Sequence, residues 1–341
     1  MTPPIRSGRD RDDVPAPQRG FTLIELLVVM GVLGILMGMG MGFLRRRGRD
    51  LDVAVTMVRD QLRLAADSAA TRHLPASVAI VQGEDGAPAT VRARVLAPIA
   101  FFHLDEDERR DERAGLETEL SGETVPGRFG EARRNDPAQK RSLLRAVVGD
   151  RPAFDLRDGF ATRLDLRFDA DQSEAGEGVV LRIGSTLELR VDEALVPSAK
   201  FVGTEGGDQQ GRSFTLTTKR SLPTERWVTL ELVHDGRSFA MLADGVELAR
   251  TAAPQRLWQR PEDVLELSPA DRPLAALVDE FAIFAYDVSE QQTLPSGITI
   301  RAEPAEIAFD RNGDLEAPAS LHLSDQDDER ALRVGAKGSV E

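Results

Sequence analysis

Apolar residues are unevenly spread along the chain. Residues 1–20 (MTPPIRSGRDRDDVPAPQRG) are polar and proline-rich, whereas residues 21–44 (FTLIELLVVMGVLGILMGMGMGFL) are apolar apart from Thr22 and Glu25. As a helix the apolar run is ~36 Å long, enough to cross a hydrocarbon core of ~30 Å, so it predicts a single membrane span. Beyond it, Leu51, Val55, Val58, Leu62, Ala65 and Ala69 recur at steps of three and four residues. This stripe continues the helix to about Thr71, and Leu74-Pro75 ends it. The expectation is one helix of roughly 50 residues, whose first half sits in lipid or a filament core and whose second half packs on a sheet. Coiled-coil pairing of that second half is the structural alternative.

After the helix the apolar period falls to two. Ser77–Val81 and Thr90–Leu96 flank Gly83-Glu84-Asp85-Gly86 and predict a β-hairpin. Comparable short strands return only near the end, at Ile298–Ile300, Ile307–Phe309, Ser320–Leu323 and Leu332–Val334. Between them, alternation at Leu164/Leu166/Phe168, Leu187/Leu189/Val191, Val228/Leu230/Leu232 and Phe239/Met241/Ala243 is punctuated by Asp235-Gly236 and Asp244-Gly245. That pattern describes an antiparallel β-sandwich burying one face of each strand. The predicted class is α+β: a long N-terminal helix on a small antiparallel sheet, interrupted by an all-β insertion. The expected boundaries are 21–104 and 292–341 for the split helix-and-sheet unit, 105–112 (DEDERRDE) for an acidic linker, and 113–291 for the sandwich.

Composition then excludes several chemistries. The chain has 341 residues and no cysteine, which removes disulfides, Cys-ligated zinc, iron–sulfur clusters and thiol nucleophiles. With 43 Lys plus Arg against 57 Asp plus Glu, the net charge of −14 argues against a broad nucleic-acid surface. His73, His103, His234 and His322 are scattered without a two-His metal spacing, and neither a nucleophile elbow nor a phosphate-binding glycine loop is present. Asp310-x-Asn312-x-Asp314 superficially suggests an EF-hand, but Leu321 stands where a bidentate Glu belongs, so it reads as a turn. No residue is expected to be catalytic.

Gly20-Phe21-Thr22-Leu23-Ile24-Glu25-Leu26-Leu27-Val28-Val29 resembles the prepilin motif of type IV pilins and type II secretion pseudopilins. The resemblance implies cleavage by prepilin peptidase between Gly20 and Phe21, N-methylation of the new amine, and assembly with other pilin or pseudopilin subunits. The mature chain would have 321 residues and a charge of −15. It implies a bacterial inner-membrane, single-pass protein with its head in the periplasm or on an extracellular filament. Glu25 corresponds to the carboxylate that pairs with a neighbouring subunit's terminal amine. Physically, an ionised carboxylate deep in a membrane helix costs ~2.5 to 3.5 kcal/mol, which an amine would offset. The alternative is that Glu25, ~6 Å along the helix from Phe21, reaches the headgroups unpaired. Gly34, Gly38 and Gly42 share one helix face, as close helix packing or a helix able to loosen requires; they also read simply as small residues in a span. The arginines after the span outnumber the four before it, which by charge alone would put the C-terminal side in the cytoplasm. The motif demands the opposite orientation. Val58–Ala65 resembles the corresponding helix of H-type minor pseudopilins.

Within the insertion, Pro126-Gly127-Arg128-Phe129-Gly130, Phe154–Phe160, Leu222–Leu230, Asp244-Gly245 and Val278–Phe284 resemble the laminin G-like group of concanavalin A-like jelly rolls. The resemblance implies a jelly-roll that binds glycans or proteins, with calcium assistance left open and no calcium ligand transferable. Trp227, Trp258 and Tyr286 are the candidate ligand-binding aromatics. Trp227 is out of phase with Val228, Leu230 and Leu232 and so lies on the opposite face, although burial is the commoner fate of a large aromatic. Asp279 and Glu280 are expected to hold turns rather than metal. The carboxylate ladder of related glucanases is absent. Two functions follow: a minor pilin or pseudopilin carrying a binding domain, or a membrane-tethered glycan- or protein-binding protein outside any filament.

Overall fold

The computed structural model describes residues 23–83, 87–105, 115–135, 140–148, 151, 154–169, 177–204, 211–260, 262–287, 291–325 and 328–340, with the side chains of Glu25 and residues 38–48 outside the description. A single helix runs Leu23–Arg72, 50 residues. Its second half buries most of the predicted stripe: Leu51, Val58, Leu62 and Ala65 have no accessible surface and Ala69 almost none, whereas Val55 is only partly buried; Ala54, which the stripe did not include, is covered as well. The helix stops where His73 turns left-handed (φ 54°) ahead of Leu74-Pro75, a C-terminal cap that needs no glycine here. The first half behaves differently. Leu23, Ile24, Leu26, Leu27 and Met30 are each more than 60% exposed, and a Cβ added at Gly31 or Gly34 would meet nothing within 4 Å. Among the described residues, no helix is long and apolar enough to cross a membrane. The predicted span is covered only in part: Gly20 and Phe21 lie outside the described residues, as do the Glu25 side chain and the surroundings of Gly38 and Gly42.

The sandwich consists of an 11-stranded and an 8-stranded sheet, and a separate 3-stranded sheet closes the chain. Along the larger sheet the neighbours are Val246–Ala252, Ser238–Ala243, Trp227–His234, Phe160–Arg167, Leu277–Asp287, Thr90–Phe102, Ala76–Val81 and Glu306–Phe309. The opposing sheet is built around Gly178–Ile183, Leu187–Val191, Pro197–Thr204 and Val264–Leu267. The Asp244-Gly245 hairpin has positive φ at both central residues (48° and 76°), the two-residue turn whose twist matches its strands.

One strand unites the expected parts. The hairpin forms as predicted, with Ala76–Val81 pairing Thr90–Val95, but the second strand does not stop at Leu96. It runs to Phe102, and its far half pairs Leu277–Asp287 from Asp287↔Val95 to Phe281↔Phe102. The sheet beneath the helix is thus continuous with a sandwich sheet, with no break between them. Two large apolar clusters flank this strand. One combines the helix stripe with Val78, Val91, Ile300, Phe309 and Leu321; the other fills the sandwich around Phe160, Phe201, Leu230 and Phe281. A small third cluster, with Leu74, Leu96, Val233 and Phe284, lies on the sheet's outer face. Asp310 is a turn, as read: its Oδ1 accepts the backbone N–H of Asn312 and Asp314 at 2.8 and 2.9 Å.

Candidate ligand cleft

Alternation in two neighbouring strands builds the site. In Trp227–His234, the residues Val228, Leu230 and Leu232 enter the sandwich core, so Trp227, Thr229 and Glu231 face outward. In Phe160–Arg167, Leu164 and Leu166 point inward, and Arg163 and Asp165 outward. The register sets Thr229 beside Asp165 and Glu231 beside Arg163. These residues floor a cleft of ≈ 860 Å³ also lined by Arg128, Phe129, Arg226, Asp244, Glu280, Phe101, His73 and Arg311. Its volume falls in the range of ~300 to 1,000 Å³ common for small-ligand sites.

The polar floor is a chain of contacts. Arg226 Nη1 meets Asp244 Oδ2 at 2.9 Å, and Asp244 Oδ1 accepts the Thr229 backbone N–H at 2.9 Å. The Thr229 hydroxyl donates to Asp165 Oδ1 at 2.6 Å, and Arg128 Nη1 reaches both, at 2.9 and 3.1 Å. Burial pushes the Asp165 carboxyl above its ordinary value, with Thr229 and Arg128 pulling partly back. At the opposite end Glu231, 4% exposed, accepts from Arg163 Nε at 2.7 Å and from Arg311 Nη2. Arg163 also donates to the Arg72 carbonyl at 3.1 Å, and Arg311 to those of His73 and Gly245 at 2.6 and 3.1 Å. The carbonyls of Arg72, the last helical residue, and of His73 after it are therefore satisfied by arginines tied to a sandwich carboxylate.

The Gly127–Gly130 turn forms one wall and is held by Asp279. Its Oδ2 accepts the N–H groups of Arg128 and Phe129 at 2.6 and 3.0 Å, and its Oδ1 that of Glu280 at 2.9 Å. Asp279 therefore holds a turn, as the sequence suggested. A Cβ at Gly127 would stand 2.6 Å from Asp279 Oδ2, so glycine is required there. Burial raises the Asp279 carboxyl, with the three N–H donors opposing. Glu280 sits at a bulge with φ 41° and bonds His103 Nδ1 at 3.0 Å. Burial raises its carboxyl too, against the lowering by His103.

The three aromatic candidates part company. Trp227 lines the cleft, on the face its phase predicted and half-buried. Trp258 lies elsewhere, under the Arg260 guanidinium at 4.0 Å. Tyr286 packs under Arg94 at 4.5 Å and donates to the Asp235 carbonyl at 3.0 Å, a structural role at the junction; burial pushes its phenol well above the usual range. Sequence reasoning passed over Arg226, Asp244, Thr229, Asp165 and Arg163, although the outward phase of the last three was present in TRLDLRF and WVTLELV. Among the described residues no group of three or more His, Asp or Glu is placed to hold a metal. Asp165 and Asp279 already accept from a guanidinium, a hydroxyl and amides, a donor-rich setting that does not fit calcium.

Comparison with known proteins bears on the N-terminus. The family model for the prokaryotic N-terminal methylation motif matches residues 15–41. The chain is pilin-like at its start. Behind that start it carries a two-sheet sandwich. No curated protein matches the chain significantly. Solved structures similar to it include domain 4 of AbnA, a GH43 extracellular arabinanase from Geobacillus stearothermophilus, in complex with arabinotriose (13% identity, 57% of this chain, 95% of that one, TM-score 0.39). The binding domain of Paraclostridial Mosquitocidal Protein 1 is also similar (10% identity, 56% and 49% covered, TM-score 0.44). So is the endo-β-1,4-glucuronan lyase of the fungus Trichoderma reesei (11% identity, 55% and 94% covered, TM-score 0.38).

Proposed function

We propose that this chain is a minor pilin or pseudopilin subunit of a type II secretion or type IV pilus-like filament, and that its sandwich binds a substrate, partner or glycan. Prepilin peptidase cuts between Gly20 and Phe21, and the new amine is methylated. The observation carrying this reading is a methylation motif at residues 15–41 leading directly into one helix. The apolar first part of that helix is exposed, while its second part buries one apolar face, with Leu51, Val58 and Leu62 wholly covered. Apolar side chains exposed in a row need lipid or sister helices. In the inner membrane they meet lipid; in the filament they meet other subunits, with Glu25 pairing a neighbour's amine. The head then faces the periplasm or the filament surface. The role is assembly and binding rather than catalysis.

Mass spectrometry of the membrane-extracted protein tests this. Expected is a chain beginning at N-methylated Phe21 in cells with prepilin peptidase, and the uncut chain in cells lacking it. Retention of residues 1–20 in both strains would refute the proposal. Glu25→Ala is expected to be inserted and processed but poorly incorporated into filaments.

A further inference from the structure

The chemistry of the cleft narrows its ligand, given the reading of the sandwich as the binding part of the subunit. We propose that the cleft takes a neutral, hydroxyl-rich oligosaccharide, with one ring against Trp227 and its hydroxyls bridging the Arg226–Asp244 and Arg128–Asp165 pairs.

Charge balance is the first argument. Arg128, Arg163, Arg226 and Arg311 line the cleft, and each is paired with a lining carboxylate: Asp165, Glu231, Asp244 and Glu231 again. Glu280 is paired with His103. An anionic or cationic ligand would bring its charge against the like-charged member of each pair. A hydroxyl, which donates and accepts at once, inserts without doing so.

The second argument is the order of groups along the floor. Arg226, Asp244, Thr229, Asp165 and Arg128 alternate donors and acceptors in one connected row. Adjacent hydroxyls on a sugar ring present the same alternation at a spacing that a guanidinium or a carboxylate bridges with two atoms. The buried members are fixed before any ligand arrives: Asp165 and Glu231 side chains are 7% and 4% exposed. Little ordering is then left to oppose binding.

The third argument is the apolar surface beside that row. Trp227 is on the same strand as Thr229, two residues away, and Phe129 at 58% exposure follows Arg128. An aromatic face covers the C–H side of a sugar ring while leaving its hydroxyl edge to the polar row. A protein partner would need a broad patch instead of a cleft of ≈ 860 Å³.

The experiment uses the full chain in a detergent without a sugar headgroup. The chain has two tryptophans, so Trp258→Phe leaves Trp227 as the sole indole reporter. Its emission is titrated with cellohexaose, xylohexaose, mannohexaose and linear arabinohexaose, and with sialyllactose as the anionic control. At least one neutral hexasaccharide is expected to give a saturable change. Arg226→Ala and Asp244→Asn should each weaken it about tenfold or more. The affinity should change less than about twofold between roughly 50 and 500 mM salt, because no net charge is neutralised. Arg226→Lys, which keeps the charge but not the planar fork, should also lose binding while melting at the parent temperature. The proposal is overturned if none of the neutral hexasaccharides binds, if only sialyllactose binds, or if binding survives the Arg226 and Asp244 substitutions. N-terminal processing and filament incorporation of the same chain do not depend on the cleft. A silent cleft in a correctly processed subunit therefore overturns this inference alone.

Discussion

The two halves of the N-terminal helix present the same backbone with opposite fates for their apolar side chains. Leu23 is 81% exposed and Leu33 48%, whereas Leu51 and Leu62 are wholly covered. Hydropathy alone would rank the first half as the more deeply buried. What separates them is the partner available within one chain: the second half has a sheet and two terminal segments to pack on, whereas among the described residues the exposed side chains of the first half meet none. Gly313 and Gly338 show how close that packing is, since a Cβ on either would come within 2.5 to 2.6 Å of the Ala66 or Leu62 carbonyl. A helix can thus be complete in its hydrogen bonding and still be only half solved as a folding problem.

The contrast can be broken most strongly from the sandwich side. Glu231→Ala leaves Arg163 and Arg311 without their carboxylate and loosens both from the helix end; a loss of about 3 to 5 kcal/mol is expected by urea unfolding. Hydrogen exchange near residue 72 should rise in that variant before the sandwich strands are affected. Leu62→Ala, in the covered half, should cost about 2 to 5 kcal/mol by the same measurement. Gln61 is buried in that half, with Oε1 accepting the Ala93 N–H at 2.8 Å. Gln61→Ala strands this amide and should cost about 1 to 3 kcal/mol.

A pH titration sharpens the comparison, because residues 26–37 hold no ionisable group. His234 lies in the sandwich core, and burial holds its imidazole below the ordinary value, opposed by its bond to the Ala253 carbonyl. The unfolded chain therefore binds this proton first as pH falls. Stability from His234 is present above pH ~6.5 and is lost below it at up to ~1.4 kcal/mol per pH unit, until the folded state also protonates. Asp165, Asp279 and Glu280, all raised by burial, act in the opposite sense at lower pH. The difference in slope between the parent and His234→Phe isolates the imidazole; equal slopes would refute this assignment. The smallest effect belongs to the exposed half: Leu33→Ala should change head stability by no more than about 0.5 kcal/mol. A larger loss would mean that the first half packs on its own head.

Much of this was legible in the sequence, for reasons that vary by element. The helix stripe from Leu51 to Ala69 was readable because each position repeats the same local rule. Alternation in Trp227–His234 put Trp227 on the outer face for the same reason. The extent of Thr90–Phe102 was not legible, because Leu96-Ala97-Pro98 looks like the end of a strand. The proline is accommodated where the register shifts opposite Ile283 and Phe284. Nor could the cleft be read. Its floor joins Arg128, Asp165, Thr229 and Asp244, which meet only through strand pairing, and its far wall needs His73 and Arg311 from either end of the chain.

The shared strand has a mechanical consequence. Thr90–Phe102 is bonded to the helix-side hairpin at one end and to Leu277–Asp287 at the other. A tug on the sandwich is thus borne by a ladder of backbone bonds loaded together, where a tether would merely swing. In the proposed role, a ligand held by the sandwich therefore keeps a fixed angle to the helix, and the two turn as one piece.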